Sequence, residues 1–420
     1  MLAARARNIQ RLARSFATVV DSTGVKVAAI DNNQPTSSVT VLVKAGSRFE
    51  PKDGVANALK NFAFKSTKSR SALGTVRESE LYGGVLSTSL GREHLALTAE
   101  FLRQDAPFFV DVLTSFITSA KFTRHEFEEY VTPISEGETE AAAHDPATRA
   151  LELAHSIAFR NGLGRSLFAP AHSHLSATDV QSYAASAFTK SNIAVLGTGI
   201  DQATLSSLVE KAFANIATTS STSPASKYHG GETRVEGHGG PQTIFIGFGT
   251  TGAPTAEIAT LAAHLSTTPA VKWSKGVSPL ASIPEGTSVQ SIYLPYSDAT
   301  LFGLLVQSTS SAGAKEAAKS AVDALKAASK SIKPEALKSA IAKAKFAAAN
   351  AAESREGLVN TLGSKVFSGS DASLESVLSS LDSVNAAGFS KVTSALVGSK
   401  PTYVVVGEAS ALPYADELGL

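Results

Sequence analysis

The apolar positions of the chain form short runs rich in β-branched residues, which alternate with longer helical patterns. The short runs predict strands at 25–30, 39–43, 85–90, 94–101, 192–197, 242–248, 288–294, 300–307 and 402–407. Spacings of three and four between apolar residues predict helices at 54–66, 76–82, 106–160 (in several pieces), 177–187, 201–215, 255–265, 312–330, 334–352, 354–367 and 372–397. This mixture predicts an α+β fold.

The order of the predicted elements repeats along the chain. REHLALTAEFL (92–102) is similar to DATLFGLLVQS (298–308), which lies 206 residues later. SNIAVLG (191–197) is similar to PTYVVVG (401–407), which lies 210 residues later. Because the two offsets are nearly equal, the sequence predicts two copies of one unit.

Segment 218–226, TTSSTSPAS, is uncharged and rich in serine, threonine and proline. Such a composition is typical of an interdomain linker. We therefore predict a first domain over 17–217 and a second over 227–420. Within the first domain, the strands at 25–30 and 39–43 are expected to pair as a hairpin.

Composition narrows the chemistry that this chain of 420 residues can perform. It contains no cysteine, which excludes disulfides, thiolate-bound zinc and iron–sulfur clusters. A formal net charge of +1 gives no sign of nucleic-acid binding. The longest uncharged run, about 239–256, is rich in glycine, threonine and proline, so no transmembrane helix is predicted. Membrane association would be peripheral, through partner proteins.

Residues 1–16, MLAARARNIQRLARSF, contain four arginines and no acidic residue. On a helix, most of the arginines share one face and the large apolar residues share the opposite face. This pattern is typical of a mitochondrial transit peptide. Arg14, Phe16 and Ala17 resemble a matrix processing site, which predicts a mature chain beginning near Ala17. A basic surface helix or a membrane-surface helix is the alternative.

Two short motifs are weak evidence for a cofactor-binding or zinc-binding site. GFGTTG (247–252) fits a dinucleotide-binding loop, but the expected acidic residue is replaced by Lys272, and Pro254 lies where the helix should begin. A glycine-rich exit from a buried strand explains it equally well. His125 begins a His-Glu-x-x-His zinc motif, yet Glu129 stands at the second histidine position.

Three segments together resemble a known family. They are AGSRFEPKDGVANALKN (45–61), ESELYGGVLSTSLGREHLAL (78–97) and AFRNGLGRSLFAP (158–170). They are similar to the M16 metallopeptidase family, to which the mitochondrial processing peptidase and the core proteins of the cytochrome bc1 complex belong. The resemblance covers nearly all of residues 20–420.

In active members of this family, a helix carries His-x-x-Glu-His, in which the histidines bind zinc and the glutamate is the general base. Here the pentad at 57–61 reads Asn57-Ala-Leu-Lys60-Asn61. Two amides replace the ligands, and Lys60 is a cation that would repel Zn²⁺. The third ligand of the family falls near residues 136–138, with Gly137 nearest by spacing. The resemblance therefore implies a degenerate site without metal or catalysis.

The resemblance also implies an architecture and a role. We expect two homologous M16-type domains, each a mixed, mostly antiparallel sheet covered by helices, forming a two-lobed shell. The expected role is a non-catalytic scaffold subunit of the bc1 complex (respiratory complex III), peripheral to the inner mitochondrial membrane on its matrix side. Core protein 1, cytochrome b, cytochrome c1 and the Rieske protein are the expected partners in a dimeric complex. No cofactor and no nucleic acid are expected.

Two other roles stay open at this point. One is the non-catalytic, presequence-binding α subunit of the processing peptidase, which carries a long glycine-rich loop. The comparable stretch here, 264–282, contains only Gly276 and is more similar to a bc1 core protein. The other role is a zinc-dependent peptidase. Lys65, Lys68 and Arg70 could contact anionic headgroups or an acidic partner, although a solvated loop is the simpler interpretation.

Overall fold

The structure is a computed structural model that describes most of the chain. The described residues are 19–22, 24–31, 33–170, 173–219, 223–237, 239–267, 278–281, 285–354, 357, 363, 365–367 and 373–420. Arg14, Phe16 and Ala17 of the predicted processing site lie outside these residues. So do parts of 218–226 and of 264–282.

Strands and helices alternate as the sequence predicts. The strands are β1 Val20–Ser22, β2 Val25–Ile30, β3 Thr36–Val43, β4 Val85–Leu90, β5 Leu95–Leu102, β6 Ile193–Thr198, β7 Gly231–Glu236, β8 Gln242–Thr251, β9 Thr287–Pro295, β10 Ala299–Ser308 and β11 Thr402–Gly407. The main helices are α1 Val55–Asn61, α2 Ala72–Leu81, α3 Ala106–Ser119, α4 Thr132–His144, α5 Pro146–Phe159, α6 Ala177–Ala187, α7 Gln202–Ala212, α8 Ala256–Leu265, α9 Ser311–Lys330, α10 Pro334–Glu353, α11 Leu374–Asp382 and α12 Ala386–Val397. The α+β class is confirmed.

The first sheet, sheet 1, has the strand order β1-β2-β6-β3-β5-β4. Strands β2 and β6 are parallel, and the other neighbours are antiparallel. Val195 of β6 pairs with Val27 of β2 on one side and with Val41 of β3 on the other. The predicted hairpin between 25–30 and 39–43 is therefore wrong, because a strand from much later in the chain lies between the two.

The second sheet, sheet 2, has the order β7-β11-β8-β10-β9. Its β7 and β11 are parallel and its other neighbours are antiparallel. Apart from the additional edge strand β1, this is the order and direction of sheet 1, with β7 in the place of β2 and β11 in the place of β6. The predicted duplication is confirmed by this shared topology.

Each sheet is buried on both faces, because alternate residues of its strands enter different apolar clusters. One face of sheet 1 packs with side chains from α1, α3, α6 and α7. The corresponding face of sheet 2 packs with α8, α9 and α12. The second face of sheet 1 is closed by Val366 and Phe367, and that of sheet 2 by α5.

The compact units of the chain are not contiguous in sequence. Unit 1 comprises residues up to Thr139, Leu167–Ser223 and Asn350–Ser376; unit 2 comprises Glu140–Ser166, Pro224–Ala349 and Val377–Leu420. Helix α5, from the first sequence copy, thus belongs to unit 2. The segment that contains Val366, from the second copy, belongs to unit 1. Each copy contributes its element to the sheet of the other.

The glycine motif at 247–252 lies mostly inside β8 rather than between a strand and a helix. A Cβ on Gly247 would lie 2.3 Å from the Phe245 ring, and one on Gly249 would lie 2.3 Å from the Tyr228 ring. These glycines make room for aromatic side chains on the sheet, and no dinucleotide-binding loop is formed there. None of the helices in the described ranges is long and apolar enough to span a membrane.

Candidate functional site

Helix α1 carries the three polar residues of the pentad. It begins after Gly54, whose φ of 87° is in the left-handed region that favours glycine. The carboxylate of Glu50 accepts a hydrogen bond from the Ala56 N–H at 3.0 Å and so satisfies a free donor of the first turn. Val55 and Leu59 are fully buried and hold the helix against sheet 1. The spacing of three and four residues therefore brings the polar side chains together on one side of α1.

Helix α4 lies opposite α1 and is preceded by a π-helical turn, Phe127–Val131. The extra residue in such a turn shifts all later positions relative to a regular α-helix. Gly137 is exposed, and no atom lies within 4 Å of the position that its Cβ would occupy. Glu138 instead faces α1. The residue of α4 that contacts the pentad is therefore Glu138, the last of the three positions 136–138 indicated by the sequence, rather than Gly137.

Five side chains form one hydrogen-bonded cluster. Asn57 Nδ2 donates to Glu138 Oε2 at 2.9 Å, and Asn61 Nδ2 donates to the same oxygen at 3.3 Å. Lys60 forms an ion pair with the other carboxylate oxygen, Oε1. Asn61 Nδ2 also lies 2.9 Å from Ser135 Oγ and 3.2 Å from Asn57 Oδ1. We call these residues, Asn57, Lys60, Asn61, Ser135 and Glu138, the pentad cluster.

The loop after α5 closes the pentad cluster from a third direction. Asn57 Nδ2 lies 3.3 Å from the carbonyl oxygen of Leu167. The hydroxyl of Thr139 donates to the carbonyl of Ala169 at 3.0 Å. A Cβ on Gly54 would lie only 2.8 Å from Ala169 Cα, so the start of α1 and this loop are in close contact. The segment that resembles the family in sequence is thus also in contact with the pentad.

Electrostatics favour the ionised form of Glu138. Burial raises the pKa of Glu138, but the hydrogen bonds from Lys60 and Asn57 and the positive charge of Lys60 outweigh burial and hold the pKa below its ordinary value. The side chains of Lys60 and Glu138 are 16% and 33% exposed, so water screens the pair only in part. The cluster is therefore a partly desolvated carboxylate with an internal counter-charge.

The donor set of the cluster does not fit a zinc ion. Zinc in proteins takes imidazole, thiolate or carboxylate ligands, and catalytic sites use three of them. Glu138 supplies one carboxylate, the amide NH₂ groups have no lone pair for a metal, and the ammonium of Lys60 repels it. Within the described part of the chain, no group of three or more histidine, cysteine, aspartate or glutamate residues could hold a metal ion.

Other residues named from the sequence have structural contacts. Glu126 is buried and accepts a hydrogen bond from the Ser66 N–H at 3.0 Å. The Lys65 ammonium lies 5.4 Å from the centroid of the Tyr130 ring. Arg70 pairs with Glu78 and Asp111. These contacts assign Lys65 and Arg70 to the packing of unit 1, whereas Lys68 is exposed.

Two models of known protein families match the chain. The insulinase model of peptidase family M16 matches residues 26–171, and the model of the M16 inactive domain matches residues 174–344. The chain belongs to the M16 peptidase family. The insulinase model lies within the first sequence copy, and the inactive-domain model covers the end of the first copy and much of the second.

Curated relatives narrow the class further. The mitochondrial cytochrome b-c1 complex subunit 2 of Cryptococcus neoformans is 45% identical over 97% of this chain and 96% of its own length. The protein of the same name from Yarrowia lipolytica is 38% identical over 98% of this chain and 99% of its own. That from Saccharomyces cerevisiae is 31% identical, with 93% and 95% covered. The similarity therefore extends over both compact units.

Proposed function

We propose that the chain is a non-catalytic core subunit of the mitochondrial bc1 complex, corresponding to core protein 2. The observation that supports this proposal is the pentad cluster, whose two amides and ammonium stand where the sequence resemblance implies two ligands and the base. A peptidase site with these substitutions has neither a metal nor a group to activate water. The full-length similarity to subunit 2 of the bc1 complex supports the particular assignment and does not favour the processing-peptidase α subunit.

We also propose the finer features that the sequence predicts. The subunit is peripheral to the inner membrane on the matrix side, and contacts core protein 1 and the cytochrome b, cytochrome c1 and Rieske subunits in a dimeric complex. Residues 1–16 are a transit peptide that is cleaved before Ala17, and the two sequence copies meet at 218–226. The acid-free, arginine-rich N-terminus supports the import signal.

Isolation from detergent-solubilised mitochondria through a C-terminal tag tests the assignment. We expect the tagged chain to be recovered with cytochrome b, recognised by its haem spectrum, and without peptidase activity. Recovery with a soluble peptidase and without cytochrome b would instead identify the processing-peptidase α subunit. N-terminal sequencing of the same sample checks cleavage before Ala17.

Lys60→Glu tests the loss of catalysis. This substitution restores the base position but neither histidine, so we expect no zinc-dependent peptide cleavage. Metal analysis should find no stoichiometric zinc in the wild-type chain or in the variant. Zinc-dependent cleavage by this single variant would show that the pentad has been misaligned with the family motif.

A further inference from the structure

The pentad cluster joins α1 to α4 through hydrogen bonds and one ion pair. The two amide nitrogens and the amide oxygen lie 2.9 to 3.3 Å from their neighbours in the cluster, which are ordinary hydrogen-bond lengths. The side chains at 57, 60 and 61 therefore converge on the carboxylate of Glu138.

The orientation of Asn57 follows from its partners. Its Nδ2 approaches Glu138 Oε2 and the carbonyl oxygen of Leu167, and both can only accept at neutral pH. The amide nitrogen must therefore point inward as a donor. The cluster is arranged to satisfy a carboxylate with donors, whereas a metal site presents acceptors to a cation.

We infer that the ammonium of Lys60 replaces the lost metal ion as the cation that ties α1 to α4. Glu138 accepts from two neutral amides and from this one charged donor, and the three bonds join residues of α1 to a residue of α4. A carboxylate that keeps its charge in a partly desolvated place needs such a partner, since an unpaired buried charge is strongly destabilising. This inference concerns the fold of unit 1 and does not depend on which complex the chain joins.

A double-mutant cycle on the full-length chain within the purified complex tests the inference. The variants are Lys60→Met, Glu138→Gln and the two combined, and the measurement is the midpoint of thermal unfolding. We expect Lys60→Met to lower the midpoint by about 4 °C, because it leaves Glu138 without its counter-charge. The combined variant should lie within about 2 °C of wild type, because removing both charges removes the penalty.

Two controls keep the test decisive. Lys52→Met removes the ammonium of an exposed pair with Asp179, in which the side chains are 46% and 36% exposed, and should shift the midpoint by less than about 1 °C. Lys60→Arg retains the charge and should keep most of the stability even if Lys60→Met does not fold. Added Zn²⁺ should leave the wild-type midpoint unchanged.

The inference is overturned if the two single substitutions are additive, if Lys60→Met behaves like Lys52→Met, or if Zn²⁺ raises the midpoint of the wild-type chain. The inference is supported if the effects of the two single substitutions on the midpoint are not additive and Lys60→Arg keeps most of the stability. Neither outcome changes the result of the tag experiment, so failure of this inference and failure of the proposed function are distinguishable.

Discussion

The helices α1 and α8 occupy equivalent places in the two units, since each follows the second of the shared strands in chain order, yet they differ in character. Helix α1 presents the polar side chains of the pentad to α4. Helix α8 buries Ile258, Leu261 and Leu265 in the core of unit 2. The same topology is therefore compatible with a helix whose buried face is mostly apolar in this place. A hydrogen-bonded cluster like that on α1 is not a requirement of the fold.

The second faces of the two sheets differ as well. In unit 2 the fourteen residues of α5 cover sheet 2, and Ala150, Ala154 and Ala158 are fully buried there. In unit 1 the described side chains that close sheet 1 are Val366 and Phe367, and most residues beneath them are small or of moderate size. Because each covering element comes from the other sequence copy, a substitution in one copy should damage the unit that contains the other sheet.

Ala154→Asp is expected to have the largest effect. It places a carboxylate in the apolar cluster between α5 and sheet 2 with no partner, which should cost more than about 4 kcal/mol. The damage should appear in unit 2 although residue 154 lies in the first sequence copy. Thermal unfolding of the full chain measures the loss, and limited proteolysis measures its location; cleavage should begin within 311–349 of unit 2.

Ser156→Asp is the matched control, since Ser156 is exposed on the same helix. Its effect should stay within about 1 kcal/mol, because a solvated charge on a helix surface costs little. Equal destabilisation by the two variants, or proteolysis that begins in unit 1 for Ala154→Asp, would contradict the exchange of elements between the copies.

His94 should make the cover of sheet 1 sensitive to acid. Its ring is stacked on Phe367, with 4.9 Å between centroids and 6° between planes. Burial lowers the pKa of His94 to about 4; the charge of Glu93 opposes this shift and that of Lys44 adds to it. The pKa in the folded state lies below the unfolded value of 6.5, so the unfolded chain binds the proton first. Stability is fully present above pH 6.5 and is lost as the pH falls towards 4.

The pKa shift of His94 sets an upper limit of about 3 kcal/mol on this loss of stability. The loss should be smaller than this limit, because the ring is only partly buried. Carboxylates also titrate in acid, so the measurement is a difference between wild type and His94→Phe, which can still stack on Phe367. Unfolding midpoints in denaturant at pH 7 and pH 4.5 should show a smaller acid loss for the variant. Parallel pH profiles for the two chains would show that His94 does not carry the sensitivity.

The sequence predicted the strands well because their apolar runs are continuous and most of their ends coincide with polar or turn residues. It missed β1 and β7, which are short or mostly polar edge strands. It could not reveal which strand inserts between β2 and β3, since pairing over a long separation leaves no local pattern. The packing of α5 on sheet 2 could not be predicted for the same reason. A helical pattern shows which face of the helix is apolar but not which sheet that face packs against.

The pentad itself was visible because a helix fixes the spacing of its side chains. The partner on α4 was located only to positions 136–138, with Gly137 nearest by spacing, and the structure shows that Glu138 makes the contact. Ser135 was missed altogether. Its neighbours along the sequence include no apolar pattern that distinguishes an inward hydroxyl from a solvated one.

The smallest expected effect tests which of two adjacent residues of α4, Gly137 or Glu138, faces α1. Helix α10 takes the place of α4 in unit 2 and contains no glycine, whereas α4 has Gly137 in its interior. Gly137→Ala should stabilise the chain by about 0.5–1 kcal/mol, because glycine loses more backbone entropy in a helix and the new methyl group meets no atom within 4 Å. Glu138→Ala should have the opposite sign, since it removes the acceptor of Asn57, Lys60 and Asn61. Chemical denaturation of the two variants measures both effects. If Gly137→Ala destabilised the chain as much as Glu138→Ala, the residue that faces α1 would have been wrongly assigned.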